Sequence, residues 1–521
     1  MRILCLFLGA VGLLLPLQAR ADDAASLLAK HVAYVGWQSG DPAMLAWRLG
    51  GTRIEGKNDD RFSEVRRGLL FHDVFRTRDR KISIDEGFTG RLMWKADPNG
   101  YVVTLLRGPA KVAFDLDALL DEATATFPDP TIDGSAQVRG VETTIVRVSP
   151  KGLPPIDLYV DPATGAYLRA VIDPKGPHRT NVEILSYMQA APGKKIAGRY
   201  DVGHARYHVA RVQVGANVTN AALEPPPARA AWTFSGPQFF PIDTYIQSTA
   251  SREIRVQASV DGHPGVFLLD TGTPGIIVFD AFARSAGLVP LGESDFSPFA
   301  GDPRDRGYVN IASLDVSGNV LHDVLVEDIA DSSRHIDGIL GYDFFAGMLA
   351  NVELSKGVMQ ILDPVTTSPA VSKGAYAFPI DLTHLRPVVS VTIGSGAVAH
   401  PRFGTGDNYF MLLSQALRDD GKIQAPNVTQ RYSTSITGAR SDTVPVLATY
   451  SDYAGANGTG NCVVVPKVMI GPYRYENPPL CFIGSGAFGP DGGLVGLDFL
   501  RHFNWEIDYP KGTFVLAPNG Q

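Results

Sequence analysis

The sequence predicts a mainly β protein: a bilobal double-β domain in the C-terminal half, preceded by an antiparallel, open-barrel-like α+β domain. Three observations lead there. Gly (54 residues) and Pro (37 residues) are frequent enough to punctuate many short strands, because both are turn formers. Hydrophobic residues make up 45% and charged residues 19%, the balance of a globular chain with a sizeable core. Two blocks within residues 240–521 recur in the same order. A length of 521 residues implies two or three domains. A net charge of −7 with no long basic run argues against nucleic acid as a partner.

The chain opens like an export signal. Met1-Arg2 precedes an apolar stretch from Ile3 to Leu17, and Ala19-Arg20-Ala21 forms an A-x-A-like cleavage site. The stretch is short for a bilayer span. The expectation is a signal peptide at 1–21 and a periplasmic or secreted product with no integral membrane span. Cys5 would leave with the signal. Cys462 and Cys481 remain, placed symmetrically about Gly471-Pro472 within apolar segments. A hairpin there sets the two thiols opposite each other, and an oxidising compartment lets them form a disulfide. A free thiol pair and a metal site are the alternatives, the latter lacking any further His or Cys nearby.

Residues 22–228 form the first domain. Leu27, Leu28, His31, Val32 and Val35 at helical spacing predict a helix over Ala24–Val35. Hairpin signals follow. Arg91–Lys95 and Tyr101–Leu106 flank Asp97-Pro98-Asn99-Gly100, and Ile156–Val160 and Tyr167–Ile172 flank residues 161–165. Val209–Val214 is a last strand, and Pro225-Pro226-Pro227 a stiff linker. The string from Ile156 to Gly165, and Lys195-Ile196-Ala197-Gly198 leading into two strands, resemble the LolA/LolB-type lipoprotein-carrier fold. That resemblance implies an unclosed barrel with an apolar interior. A structural or docking role is the plain alternative to lipid binding.

Residues 229–521 form the second domain, with lobe one at about 240–366 and lobe two at about 385–521. The block from Asp270 to Gly287 aligns without gaps on Gly404 to Gly421, an offset of 134. Gly338 to Phe345 aligns on Gly493 to Leu500, an offset of 155 that continues to Ser355-Lys356-Gly357 against Pro510-Lys511-Gly512. Two blocks in one order read as an internal duplication. Lobe two carries the extra residues, in the Gly/Ser/Thr-rich Ser433–Asn461, which reads either as a cover over a site or as plain surface loop.

The string Phe267-Leu268-Leu269-Asp270-Thr271-Gly272-Thr273, followed by Ile336-Asp337-Gly338-Ile339-Leu340-Gly341, resembles pepsin- and retropepsin-like aspartic peptidases. The resemblance implies an exported endopeptidase acting on polypeptide, with no cofactor and no metal. It implies Asp270 as the acid/base, Thr271 as a brace between paired loops, and Gly272 and Thr273 as supports of the carboxylate. The chemistry of that family needs two carboxyls. Side chains about 3 Å apart cannot both ionise, so one carboxylate activates water while a shared proton serves the carbonyl oxygen.

Here the sequence departs from the pattern. The partner position in lobe two is Gly404, although Thr405 and Gly406 are kept. Three arrangements stay open. Asp270 pairs with its copy in a homodimer, as in retroviral-type peptidases. Alternatively, Asp407, aligned with Thr273, bends into the cleft. In the third, the domain is a pseudo-peptidase that binds extended peptides or another ligand without cleaving them. The segment Phe299–Gly307 is the candidate flap over the cleft. Gly484 to Gly489 matches G-x-G-x-x-G, but Pro490-Asp491-Gly492-Gly493 leaves no helix start to hold a pyrophosphate. His204 and His208 lack a metal-binding motif around them.

Overall fold

The computed structural model describes residues 23–37, 46–55, 58–68, 70–77, 82–90, 93–102, 129–150, 153–176, 179–248, 251–294, 306–329, 335–367, 374–382, 385–425, 427, 432–436, 440–444, 447–451, 457–484, 488, 489 and 491–519. The fold is mainly β. It divides into two compact units: Met1–Met44 with Asp115–Val209, and Leu45–Phe114 with Ala210–Gln521. The candidate signal, residues 1–21, lies outside the described residues. Among those described, no helix is long and apolar enough to cross a membrane.

In the first unit the helix spans Ala24–Val35. Asp23 caps it by accepting the Ser26 N–H at 2.6 Å, and Gly36, left-handed at φ 75°, ends it. Ala24, Leu27, His31 and Val35 form its buried face. His31 Nδ1 donates to the Gly165 carbonyl at 2.9 Å, and its ring lies 3.4 Å from that of Tyr167, stacked. Burial holds the imidazole pKa down to about 4, so the ring is neutral near pH 7. The strands form an antiparallel meander of Thr131–Val138, Val141–Val148, Ile156–Val160, Tyr167–Ile172, Thr180–Ala191, Lys194–Val202 and the start of Ala205–Val214. The turn at Asp161 is closed by the Gly165 N–H on the Asp161 carbonyl and by Thr164 Oγ1 on the Asp161 carboxylate.

The second unit begins with a meander of Ala46–Glu55, Asn58–Arg67, Leu70–Arg76, Ser83–Phe88 and Met93–Ala96. After the turn at residues 97–100, Val102 pairs with Ala96. The rest of that expected hairpin lies outside the described residues. In lobe one, the strand His263–Leu269 and the strand Ile276–Phe279 flank a short strand, Gly338–Leu340. Lobe two has the same arrangement, with Ala397–Phe403 and Met411–Ser414 flanking Gly492–Val495. A six-stranded sheet joins the lobes, in the order Phe239–Pro241, Val358–Leu362, Leu349–Glu353, Phe503–Asp508, Thr513–Pro518, Tyr376–Pro379. Its central register sets Asn351 opposite Glu506, the two positions that the offset of 155 equates. One apolar core runs through both lobes, from Phe267 and Leu269 to Phe403, Phe499 and Phe514.

Cys462 and Cys481 are disulfide-bonded and sit directly opposite each other in the ladder between Asn457–Val464 and Pro479–Ile483. The turn at Gly471 closes a separate inner hairpin, Lys467–Ile470 with Tyr473–Glu476. Both ladders keep the symmetry about residues 471 and 472. Between them the chain bends at Pro466 and Asn477, where an N–H···O bond bridges the two arms. Ser433–Asn461, for which surface loop is one of two readings, contains two hairpins, Tyr432–Ile436 with Arg440–Val444 and Leu447–Ser451 with Asn457–Val464. Thr and Ser accept a strand when a partner is present, so composition alone does not make the segment a loop.

Candidate active site

Two equivalent loops meet between the lobes. The strand His263–Leu269 delivers Asp270, and the Asp270 N–H donates to the Leu340 carbonyl at 3.0 Å. The strand Ala397–Phe403 delivers Gly404, whose N–H donates to the Val495 carbonyl at 3.0 Å. One step on, the Tyr342 N–H reaches the Thr273 carbonyl at 2.8 Å and the Leu497 N–H reaches the Asp407 carbonyl at 2.6 Å. These crossings demand glycine. A Cβ at Gly341 would lie 2.2 Å from the Thr273 carbonyl oxygen, and one at Gly496 would lie 2.4 Å from that of Tyr409. That is why each apolar block ends in Gly.

Thr271 and Thr405 lock the loops to each other. Thr271 Oγ1 donates to the Phe403 carbonyl at 2.8 Å, and Thr405 Oγ1 donates to the Leu269 carbonyl at 2.8 Å. The Thr271 N–H donates to Thr405 Oγ1 at 3.1 Å, and the Thr405 N–H to Thr271 Oγ1 at 3.3 Å. All four bonds are buried. The Asp270 carboxylate is held by three donors: the Gly272 N–H at 2.8 Å and the Gly406 N–H at 3.1 Å on Oδ1, and the Thr273 hydroxyl at 2.7 Å on Oδ2. One of those donors comes from lobe two. Asp270, Thr271, Gly272 and Thr273 thus lie together in one buried loop, with Asp270 only 7% exposed.

Gly404 leaves a gap in the second loop, and the Asp407 carboxylate turns toward it. A Cβ built on Gly404 would lie 3.2 Å from Asp407 Oδ2. Two further groups approach Asp270. The side chain of Arg402 is buried, with its Nε 3.4 Å from where a Cβ on Gly272 would sit. Tyr509 is buried against Tyr342 and Phe345, and its hydroxyl pKa is pushed well up by burial and by the charge of Asp270.

A second acidic cluster lies in the same unit, and the sequence reading missed it. The Asn99 side chain behaves like a strand partner of Leu325. Its amide donates to the Leu325 carbonyl at 3.0 Å, and its oxygen accepts the Leu325 N–H at 2.7 Å. The same amide donates to Asp343 Oδ2 at 2.9 Å. Asp97 accepts the backbone N–H groups of Asn99 and Tyr101 on Oδ1. The carboxyls of Asp97 and Asp343 face each other, and no donor among the described residues reaches Asp97 Oδ2 or Asp343 Oδ1. A proton between them satisfies both. Burial raises both pKa values, and the charge of Asp97 pushes Asp343 further up, so Asp343 holds the proton. One signal was available: Asp343 is the lone charged residue in the apolar block Gly338 to Phe345.

Of the flap candidate, residues 299–305 lie outside the described residues. His204 and His208 are both exposed. Among the described residues no group of three or more His, Cys, Asp or Glu side chains is arranged to hold a metal ion.

Comparison with known proteins agrees with this geometry where it reaches. A family model described as "Aspartyl protease" matches residues 256–344, the stretch from within the strand Ser251–Val260 to the helix after Gly341. This region is aspartyl-protease-like. No curated protein matches the chain. A solved structure of a DUF1329 family protein from Desulfovibrio piger is 15% identical over 38% of this chain and 97% of that one, with a TM-score of 0.29. A score that low carries no argument about the fold of the N-terminal residues.

Proposed function

We propose that the protein is an exported aspartic endopeptidase that hydrolyses peptide bonds through Asp270. The observation that carries this reading is the loop itself. A carboxylate held by three fixed donors, in a seam braced by Thr271 and Thr405, is poised to take a proton from water as that water attacks a carbonyl. The crosswise threonine bonds and the facing of Asn351 and Glu506 support the duplication that a bilobal peptidase requires. Lobe two already holds the face on which a second copy of Asp270 would dock, which favours a site completed within one chain. Export rests on the Met1–Ala21 layout and on the Cys462–Cys481 bond.

The test compares wild type with Asp270→Asn on a quenched, mixed-sequence peptide library from pH 3 to 7.5. Cleavage by wild type alone, with at least roughly 10³-fold loss in the variant, is the expected outcome. Gly404 favours one second reading, a peptide-binding pseudo-peptidase. Under it neither protein cleaves, and peptides bind both equally. For residues 22–228 the lipoprotein-carrier resemblance stays a proposal, supported by the antiparallel meander and the helix seated on it through His31. Retention of a fluorescent fatty-acyl probe by residues 22–228 within the full chain tests it.

A further inference from the structure

An aspartic peptidase with glycine at its second catalytic position lacks the group that protonates the carbonyl. We propose that Asp407 supplies that second carboxyl, from three residues downstream of the vacated position; the proposal rests on the peptidase reading above. In an aspartate the carboxyl oxygens lie about 2.4 Å from Cβ. Asp407 Oδ2 lies 3.2 Å from the Cβ position of residue 404, so it faces the space that an aspartate carboxyl at that position would fill. The glycine and the displaced carboxylate are complementary. A Cβ at position 404 would press on Asp407 Oδ2 at a distance few side chains tolerate, and removing it makes room. Backbone strain does not explain the glycine, since Gly404 is not among the residues with positive φ. The Asp407 main chain is fixed by the Leu497 N–H on its carbonyl, as Thr273 is fixed by Tyr342. At the position where lobe one has the Thr273 hydroxyl supporting the acid, lobe two has the acid itself.

The step balances with one water. Asp270 takes a proton as the water oxygen bonds to the carbonyl carbon, and Asp407 gives its proton to the carbonyl oxygen, forming a gem-diol. A proton from Asp270 then passes to the amide nitrogen as the C–N bond breaks. Asp407 recovers its proton from a diol hydroxyl, leaving an acid, an amine and the starting pair.

The experiment compares Asp407→Ala, Asp407→Asn and the double variant Gly404→Asp with Asp407→Ala against wild type, with urea midpoints confirming folding. The expected result is a kcat lower by roughly 10²- to 10⁴-fold in the single variants and substantial recovery in the double variant, which restores the ordinary pair. Wild-type kcat in Asp407→Ala overturns the proposal. A second readout separates it from the peptidase reading. Affinity for a statine-containing peptide, whose hydroxyl hydrogen-bonds both carboxyls of such a pair, is expected to fall at least roughly tenfold in Asp407→Ala and to return in the double variant. Absence of cleavage by wild type refutes the peptidase reading, and unchanged affinity for the statine peptide in Asp407→Ala refutes the pairing.

Discussion

Replacing Thr405 by Val keeps the side-chain volume and removes one hydroxyl from the seam between the lobes. That hydroxyl donates to the Leu269 carbonyl at 2.8 Å and accepts the Thr271 N–H at 3.1 Å, and Thr405 is 1% exposed. The variant leaves one buried carbonyl and one buried N–H without those partners. At about 1–2 kcal/mol each, the loss is about 2–4 kcal/mol. The two bonds made by Thr271 Oγ1 remain, so the lobes loosen rather than separate. Gly406, the next residue, supplies one of the three donors on Asp270, so kcat for peptide cleavage is expected to fall roughly 10- to 100-fold through misplacement of the carboxylate. Urea unfolding followed by tryptophan fluorescence reads the first effect and steady-state cleavage the second. A stability loss under about 0.5 kcal/mol, the range of an ordinary surface change, would show that the crosswise bonds do not hold the seam and sink the argument.

Two further outcomes concern pH. Asp343 is protonated because burial and Asp97 raise its pKa. Its contribution is therefore complete below the ordinary aspartate pKa and is lost as pH rises through the raised folded value. Beyond the ordinary value wild-type stability falls by about 1.4 kcal/mol per pH unit for this proton until the raised folded value is reached; Asp343→Asn, which offers an N–H in place of the O–H, removes that slope, and parallel profiles for the two proteins would refute the shared proton. His31 behaves oppositely. Its pKa falls from 6.5 to about 4, so its contribution is present above pH 6.5 and drains away toward pH 4. With about 1.4 kcal/mol per unit the total is about 3 kcal/mol. His31→Gln abolishes this acid sensitivity, which hydrogen exchange of amides in Ala24–Val35 reports; equal acid loss in both proteins would contradict it.

Local signals in the sequence carried a long way where the chain's neighbours in space are also neighbours in order. Ala24–Val35 has its cap at Asp23 and its stop at Gly36, and the helix occupies the predicted span. The strands Ile156–Val160 and Tyr167–Ile172 are fixed by the short turn between them and match their predicted limits. The Asp-Thr-Gly motif led to Asp270, Thr271 and Thr273 because their bonds are made within one loop or to its aligned counterpart. Distance defeated the rest. Nothing around Asn99 announces Leu325, and an alignment places Asp407 against Thr273 without saying that its side chain turns toward Gly404. The hairpins of Ser433–Asn461 were hidden because Ser, Thr and Gly take their conformation from a partner strand rather than from each other.

The Asn99 stitch also sets a schedule. Its partners lie 226 and 244 residues further along the chain, so when synthesis runs from the N-terminus, residues 45–114 cannot complete their buried contacts until residue 343 has been made. The residues of the other compact unit, up to Val209, are all available well before that. Ile82, beside the strand Ser83–Phe88 of residues 45–114, is buried with Tyr308 and Leu325, so it too is an early-made part with late-arriving partners. Such long-range closure slows folding and prolongs exposure of apolar strands. A chain whose order delays its own completion depends on whatever shields Ile82 and its neighbours during that wait.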